Sequence, residues 1–465
     1  LSGDQKRTHG GSAYPQRGKR LHGFRRKEEA LLLRREEVDR SFLRREARKR
    51  NIAVVDFLMQ MMQKLSQKEG KPRTLFAVCP NSETVIKAAL RSAKRANAPI
   101  KFAATLNQVD LDRGYTGLTQ SEFVELVKME AESIGYRGLI IIAVDHGGPW
   151  VKDIQSIENW PLERCMEWTK KSFEAAILAG YDLLHVDPTV DKTLPKGAVI
   201  PIEWVVERTL ELIRHAEMFR RQAALPPISY EVGTEEVHGG LADMAVFERF
   251  LFGLKEGLRK NGLQEVWPIF VVGKVGTDLH TTLFDPRVAL ELAQRARAYG
   301  SYIKGHYTDY VENPEAYPAS LMGAANVGPE FTEEEYEALR ELVHIEEQLF
   351  AEKCIPRKSE LLQVLREEVE ASGRWKKWLQ GEEQGKTLFE LSPERQAWLV
   401  KTGCRYIWSS PRVVKSRMLL YRHLSQNGYQ PEEMVITRIE RAMDKYFRAF
   451  NLLDLEEKLR MVIGN

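Results

Sequence analysis

Cysteine is scarce: four of 465 residues (Cys79, Cys165, Cys354, Cys404), with no CxxC pair among them. That count and spacing exclude a disulfide scaffold and a zinc ribbon, and they suit a reducing, cytoplasmic compartment. Long apolar runs are also missing. Stretches such as Gly138 to Val144 are far too short to span a bilayer, so no membrane contact is expected. No charged–apolar–small leader pattern opens the chain. No strand-like run is followed by GxGxxG or a P-loop, and Gly273-Lys-Val-Gly276 is only a weak echo of a glycine-rich loop. An open nucleotide-binding sheet is therefore the lesser alternative. Neither sign of charge dominates, with 69 Lys/Arg against 66 Asp/Glu. The balance hides an asymmetry, because residues 1–50 hold 16 basic and 7 acidic residues and the remainder is net acidic. Leu1 to Gly23 is rich in Gly, Arg and Lys and poor in large apolar side chains, the composition of a disordered extension. Arg25 to Arg50 reads as a charged helix with a thin apolar stripe. With an acidic body and no nucleic-acid motif, nucleic acid is not an expected partner.

Hydrophobic residues make up 43% of the chain, ample for a packed core. From Asn51 onward, short β-rich runs alternate with helical patterns. The runs are 74–79, 100–106, 138–144, 182–186, 229–233, 268–275, 301–306 and 324–327. Apolar residues at three- and four-residue spacing fill the segments between them, and Thr119-Gln-Ser-Glu122 is a capping-box start for one. Eight strands alternating with helices predict parallel pairing, and eight is the number that closes a (β/α)8 barrel. The predicted organisation is an N-terminal extension over 1–50, a barrel over 51–330 and a C-terminal helical subdomain over 331–465 packing on it.

Most of these strands are apolar until their last residues and then turn ionisable. The endings are Asn107-Gln108, Asp145-His146, His185/Asp187, Glu231/Glu235, Asp278/His280 and His306/Asp309. Each alone has an ordinary explanation: His185 as a core histidine, Asn107 as a turn former, Asp145 as a helix cap. In a barrel, however, these endings converge on one face, where barrel enzymes build their sites. A cluster of buried polar groups is costly unless a ligand, a metal or water satisfies it.

The same residues carry a resemblance. Asn107-Gln-Val together with Gly114-Tyr-Thr-Gly117 is similar to a signature of the tagatose-1,6-bisphosphate aldolase accessory-subunit family, as is Asp145-His-Gly-Gly-Pro149. Leu184-His-Val-Asp187, Gly233-Thr-Glu235, Gly305-His-Tyr-Thr-Asp-Tyr310, Val327-Gly-Pro329, Ile345-Glu-Glu-Gln-Leu349 and Arg405-Tyr-Ile-Trp408 follow in that family's order. The resemblance implies a class II aldolase-like barrel with a divalent metal. Zinc is the first expectation, with manganese, cobalt or nickel as alternatives. By that likeness His146, His280 and His306 are the expected metal ligands, His280 being the weakest match. Asp145 is the expected proton carrier, and Glu235, Asp187 and Glu231 are further carboxylates placed to serve as acid/base groups or as metal ligands. Asn107, Gln108, Tyr115, His185, Asp309 and Arg405 are the expected substrate contacts; Arg405, Arg412 and Lys415 either reach over the barrel mouth to a phosphate or carboxylate or form a solvated basic face.

Such residues suit chemistry beside a ketone. Breaking C3–C4 leaves an enediolate that a divalent cation stabilises, while a carboxylate takes and returns the C4 hydroxyl proton. If the aldehyde fragment rotates before recombination, the product is the C4 epimer. The expected activity is therefore a metal-dependent 4-epimerase on fructose- and tagatose-type ketoses, free, oxidised or 6-phosphorylated. The alternatives are a non-catalytic subunit that stabilises a separate aldolase, and a sugar-phosphate aldolase. The expected partners are a small ketose or ketose phosphate, further copies of the chain, and an aldolase catalytic subunit.

Overall fold

The computed structural model describes residues 41–464 apart from 196–197, 235–239, 279 and 281–282. The described strands, in chain order, are β1 Leu75–Val78, β2 Ile100–Thr105, β3 Ile140–Gly147, β4 Leu183–Val186 and β5 Ser229–Gly233. They continue with β6 Gly240–Leu241, β7 Phe270–Val272, β8 Val275–Gly276, β9 Tyr302–Gly305 and β10 Ala324–Val327. Eight of them close a parallel barrel in the order β1-β2-β3-β4-β5-β7-β9-β10, and β10 returns to β1 in register from Leu75↔Ala324 to Val78↔Val327. The expected (β/α)8 barrel is therefore present, with further helices at its C-terminal side. The strand expected over 268–275 is interrupted, because Val275–Gly276 leaves the barrel to pair antiparallel with Gly240–Leu241.

Local signals explain the helices around this barrel. Glu122 Oε2 accepts the Thr119 N–H at 2.9 Å, one half of the capping box that starts helix Gln120–Ser133. Gly180, at φ +91°, ends helix Leu162–Ala179 in a left-handed conformation that costs glycine little. Helix Pro329–Ala351 starts directly after β10 and packs against Pro431–Ala449, which also packs against Glu83–Ala96. Tyr446, Phe447 and Phe450 from the end of that C-terminal helix surround Phe76 of β1. Residues 41–465 form one compact unit.

That unit begins at Ser41, ten residues before the boundary expected at Asn51, and the early start has a physical cause. Helix Phe42–Lys49 buries Leu43 and Ala47 completely or nearly so. Its Arg44 grips the start of β4, with Nη1 bonded to Asp182 Oδ1 and Nη2 donating to Asp182 Oδ2 at 3.0 Å and to the Ile140 carbonyl at 2.7 Å. Helix Val54–Glu69 follows along the same end of the barrel, where Ser229 at the head of β5 bonds to Asp56. Residues 41–50 thus belong to the body, while 1–40 lie outside the described residues. Among the described residues, no helix is long and apolar enough to cross a membrane.

Candidate metal centre and barrel mouth

The site begins with an irregularity in β3. Its register against β4 shifts between Val144 and Gly147, and His146 in between takes φ +50°, an unusual backbone for a residue with a side chain. Bulges of this kind re-aim side chains next to active sites. The two following glycines let the bent strand close on β4. A Cβ on Gly147 would stand 2.4 Å from the Phe173 ring and 2.9 Å from the His185 carbonyl, and one on Gly148 would stand 2.0 Å from the Asp187 carbonyl. The strand therefore runs three residues beyond its expected end at Val144.

This closeness brings four candidate ligands together. Ligand atoms of Asp145, His146, His185 and His306 all lie within 4.8 Å of one another. His146 Nδ1 is 2.5 Å from Asp187 Oδ2, and the other Asp187 oxygen accepts from the Thr189 hydroxyl at 2.6 Å. Asp187, expected as an acid/base group, thus has both oxygens engaged, one orienting the His146 ring through Nδ1 and the other held by Thr189. His185 Nδ1 accepts the His146 backbone N–H at 3.0 Å, whereas His185 Nε2 and both ring nitrogens of His306 are buried without hydrogen-bond partners. Orphaned imidazole nitrogens beside a carboxylate fit a divalent cation of the zinc type, which takes nitrogen and oxygen donors.

Beneath these ligands lies a charged network that the sequence reading missed. Lys101 in β2 and Lys304 in β9 are fully buried. Lys304 Nζ stands 3.0 Å from Asp145 Oδ1 and 2.5 Å from Glu231 Oε1, and Lys101 Nζ is 3.2 Å from Glu231 Oε2. Asn326 in β10 donates to Asp145 Oδ2 at 3.0 Å. The signal was a lone lysine inside each apolar strand, which only the closed barrel turns inward toward carboxylates. Buried charges persist when paired in this way.

The network sets the protonation of the centre. Burial alone would raise Asp145 and Glu231, but Lys304 overrides it and holds both well below the usual carboxylate range. Burial, joined by Lys304, pulls Lys101 down to about 8. Burial, again with Lys304, pushes His306 down to about 3, so its imidazole is neutral. Burial also opposes a charge on His146, yet Asp145 and Asp187 together raise it.

The remaining expected residues divide. His280 does not join the cluster: it is exposed, stacks on Trp398 with ring centroids 5.3 Å apart, and receives no help from the barrel strands. His185, expected to touch substrate, stands in the cluster instead. Asn107 is occupied with the Val151 carbonyl and the Asp153 N–H, and Gln108 with the Thr105 N–H and Asn81. Asp309 Oδ1 accepts the N–H groups of Gly328 and Glu330 at 3.0 and 2.8 Å, while its Oδ2 is buried without a partner. Burial, reinforced by Glu330, pushes this carboxyl up to about 7. Tyr115 meets Tyr406 edge-on, and Arg405 lies against Tyr406. Cys79, just past β1, joins these parts, since it feels the charges of both Asp145 and Asp309 as well as of Lys304 and Arg405. Glu235 lies outside the described residues.

A solved structure shares this architecture. A crystal structure from Sinorhizobium meliloti, described as a probable tagatose 6 phosphate kinase, is similar with a TM-score of 0.66 at 23% identity, covering 81% of this chain and 100% of that one. The likeness is one of fold. A fructose-bisphosphate aldolase from Campylobacter jejuni is more distant, with a TM-score of 0.46 at 13% identity, covering 86% of this chain and 95% of that one. The family model for D-tagatose-1,6-bisphosphate aldolase subunit GatZ/KbaZ-like proteins matches residues 58–449. By that match, which spans the barrel, the metal-type cluster and most of the C-terminal helices, the chain belongs to the GatZ/KbaZ-like family.

Proposed function

We propose that the protein is a metal-dependent ketose 4-epimerase, interconverting fructose- and tagatose-type sugars by retro-aldol and aldol steps at C3–C4. The observation that carries this reading is the convergence of Asp145, His146, His185 and His306 on one point at the barrel mouth. A divalent cation held there would supply Lewis acidity to a ketose carbonyl and its neighbouring hydroxyl. Asp187 fixes the direction of the His146 ring, a support that metal-binding histidines commonly have. Lys304 and Asn326 hold Asp145 ionised and immobile. Asp145 and Glu235 are the carboxylates proposed to move the C4 hydroxyl proton.

A second reading is a stabilising subunit without chemistry of its own. The family's description as an aldolase subunit favours it, as does the engagement of both Asp145 oxygens, which makes that carboxylate a weak base. A scaffold, however, has no physical need for buried imidazole nitrogens left without hydrogen-bond partners beside carboxylates.

The deciding experiment takes the full chain alone, metal-loaded and after EDTA, with fructose, tagatose, their 6-phosphates and the corresponding uronates. Epimerisation that EDTA abolishes and added metal restores is expected. His146→Ala should empty the site, whereas His280→Ala should leave metal content unchanged. Asp145→Asn or Glu235→Gln should cost on the order of 10²- to 10⁴-fold in rate with metal retained if the residue is the base. No turnover by the metal-loaded chain, together with stabilisation of an added aldolase, would hand the case to the second reading.

A further inference from the structure

Arg405 presents an unsolved charge. The residue is 6% exposed, and both Nε and Nη2 are buried without a hydrogen-bond partner. Among the described residues no carboxylate pairs with it; Tyr406, Tyr115 and Tyr307 bear on it electrostatically, and Tyr406 also shares a side-chain hydrogen bond with it. Its guanidinium carbon lies 4.9 Å from the centre of the Trp378 ring and 4.9 Å from that of Tyr406. Aromatic faces recover part of the cost of burying a cation but do not satisfy its N–H groups. Nε and Nη2 also share one edge of the guanidinium, the edge that presents two parallel N–H donors to a carboxylate or phosphate.

The neighbours repeat the imbalance independently. Arg374 stands 5.2 Å from the Tyr115 ring and 5.5 Å from the Tyr406 ring, and its Nη1 is likewise buried without a hydrogen-bond partner. Lys377 Nζ is 4.9 Å from the same Tyr406 ring. One carboxylate serves these two, Asp153, at 3.6 Å from each. Among the described residues, three cations thus gather around one tyrosine with a single carboxylate beside them. The Tyr406 hydroxyl registers this field: burial would raise it, yet Arg405 and Lys377 bring it below its ordinary value. Like charges so placed repel one another until an anion arrives.

We propose that Arg405 is the oxyanion receptor of the barrel mouth, its Nε–Nη2 edge taking the terminal phosphate or carboxylate of the sugar while Arg374 and Lys377 supply longer-range attraction. The inference rests on the ketose reading for the sugar and not for the oxyanion. It assigns substrate selection to the C-terminal segment, which carries all three cations, and leaves the metal-type cluster of the barrel to the reacting end.

Calorimetric titration of the metal-loaded full chain with fructose, fructose 6-phosphate and the fructose-type uronate tests the assignment. At least one charged sugar should bind on the order of thirty-fold tighter than fructose, the worth of a charge-assisted hydrogen-bonded pair. Which charged sugar binds tighter decides between phosphate and carboxylate. Arg405→Gln should erase the advantage. Arg405→Lys, which keeps the charge without the paired donors, should erase most of it. The Arg405→Gln variant without ligand should melt no lower than the parent, because it loses a charge that nothing pairs. A melting point lowered by several degrees would make Arg405 structural and overturn the proposal. So would equal binding of charged and neutral sugars, or an advantage that survives Arg405→Gln. Binding is read without turnover, so the two readings fail separately. A chain that selects charged sugars yet converts none keeps the receptor and loses the epimerase, and one that converts neutral ketoses without preference does the reverse.

Discussion

The two ends of the barrel carry similar residues in opposite states. At the foot, where the strands begin, Asp182 accepts from Arg44 and from the Ile142 N–H, and Asp56 from Ser229. At the mouth, where they end, His185 Nε2, both His306 nitrogens, Asp309 Oδ2 and the donor edge of Arg405 are buried with nothing to bond. Unpaired buried polar groups are expensive, so a fold tolerates them where a ligand is expected to complete them. At the foot Asp182 and Asp56 find their partners within the chain, while Tyr181 Oη and Glu456 Oε2 are a neutral and an acidic orphan there. The mouth awaits something else.

The largest effect on stability should come from the foot. Arg44→Met leaves the Asp182 carboxylate in a largely buried position without its cation, and breaking such a pair costs about 3 kcal/mol. Chemical denaturation should show that loss while metal affinity is unchanged. An unaltered midpoint would mean that helix Phe42–Lys49 is not part of the body. Asp187→Asn strikes the mouth instead. It removes the charge that holds His146, and metal affinity should fall on the order of 10- to 100-fold with little change in melting. Equal affinity in competition with a chelator would dissociate Asp187 from the centre.

The smallest effect is one of pH. Burial and Glu330 raise Asp309 to about 7, so the folded chain holds this proton where the unfolded chain has released it. Stability from this group is therefore present at low pH and declines as pH rises from about 4 to about 7. Asp309→Asn retains the acceptor for Gly328 and Glu330 and removes the titration. The variant should gain on the parent across that window, by on the order of 2 kcal/mol at its upper end. Parallel stability profiles for the two proteins would contradict this.

The barrel itself was readable because strand and helix periods alternate so regularly. All eight barrel strands fall within two residues of their expected starts and three of their expected ends, although the run expected over 268–275 splits into β7 and β8. The third histidine was not readable. His185 and His280 both stand near a strand end in sequence, and only the fold turns one into the barrel and leaves the other against Trp398. Lys101 and Lys304 looked like isolated charges in apolar strands, because their carboxylate partners lie 130 and 73 residues away at Glu231.

Sequence thus determined what depends on local pattern: eight parallel strands, the helices between them, the Asp145-His-Gly-Gly strand ending and the resemblance to an aldolase-related family. Tertiary structure decided everything that depends on closure. Joining β10 to β1 brings residues from β3, β4, β5 and β9 around one point. That fixes which histidines meet, spends Asp187 on orienting His146, and places two lysines against buried acids. Folding the C-terminal helices back on the barrel then brings Arg405 beside Tyr115 without a counter-ion. No one-dimensional spacing encodes these outcomes, because each is set by distances between residues that the chain separates by tens to hundreds of positions.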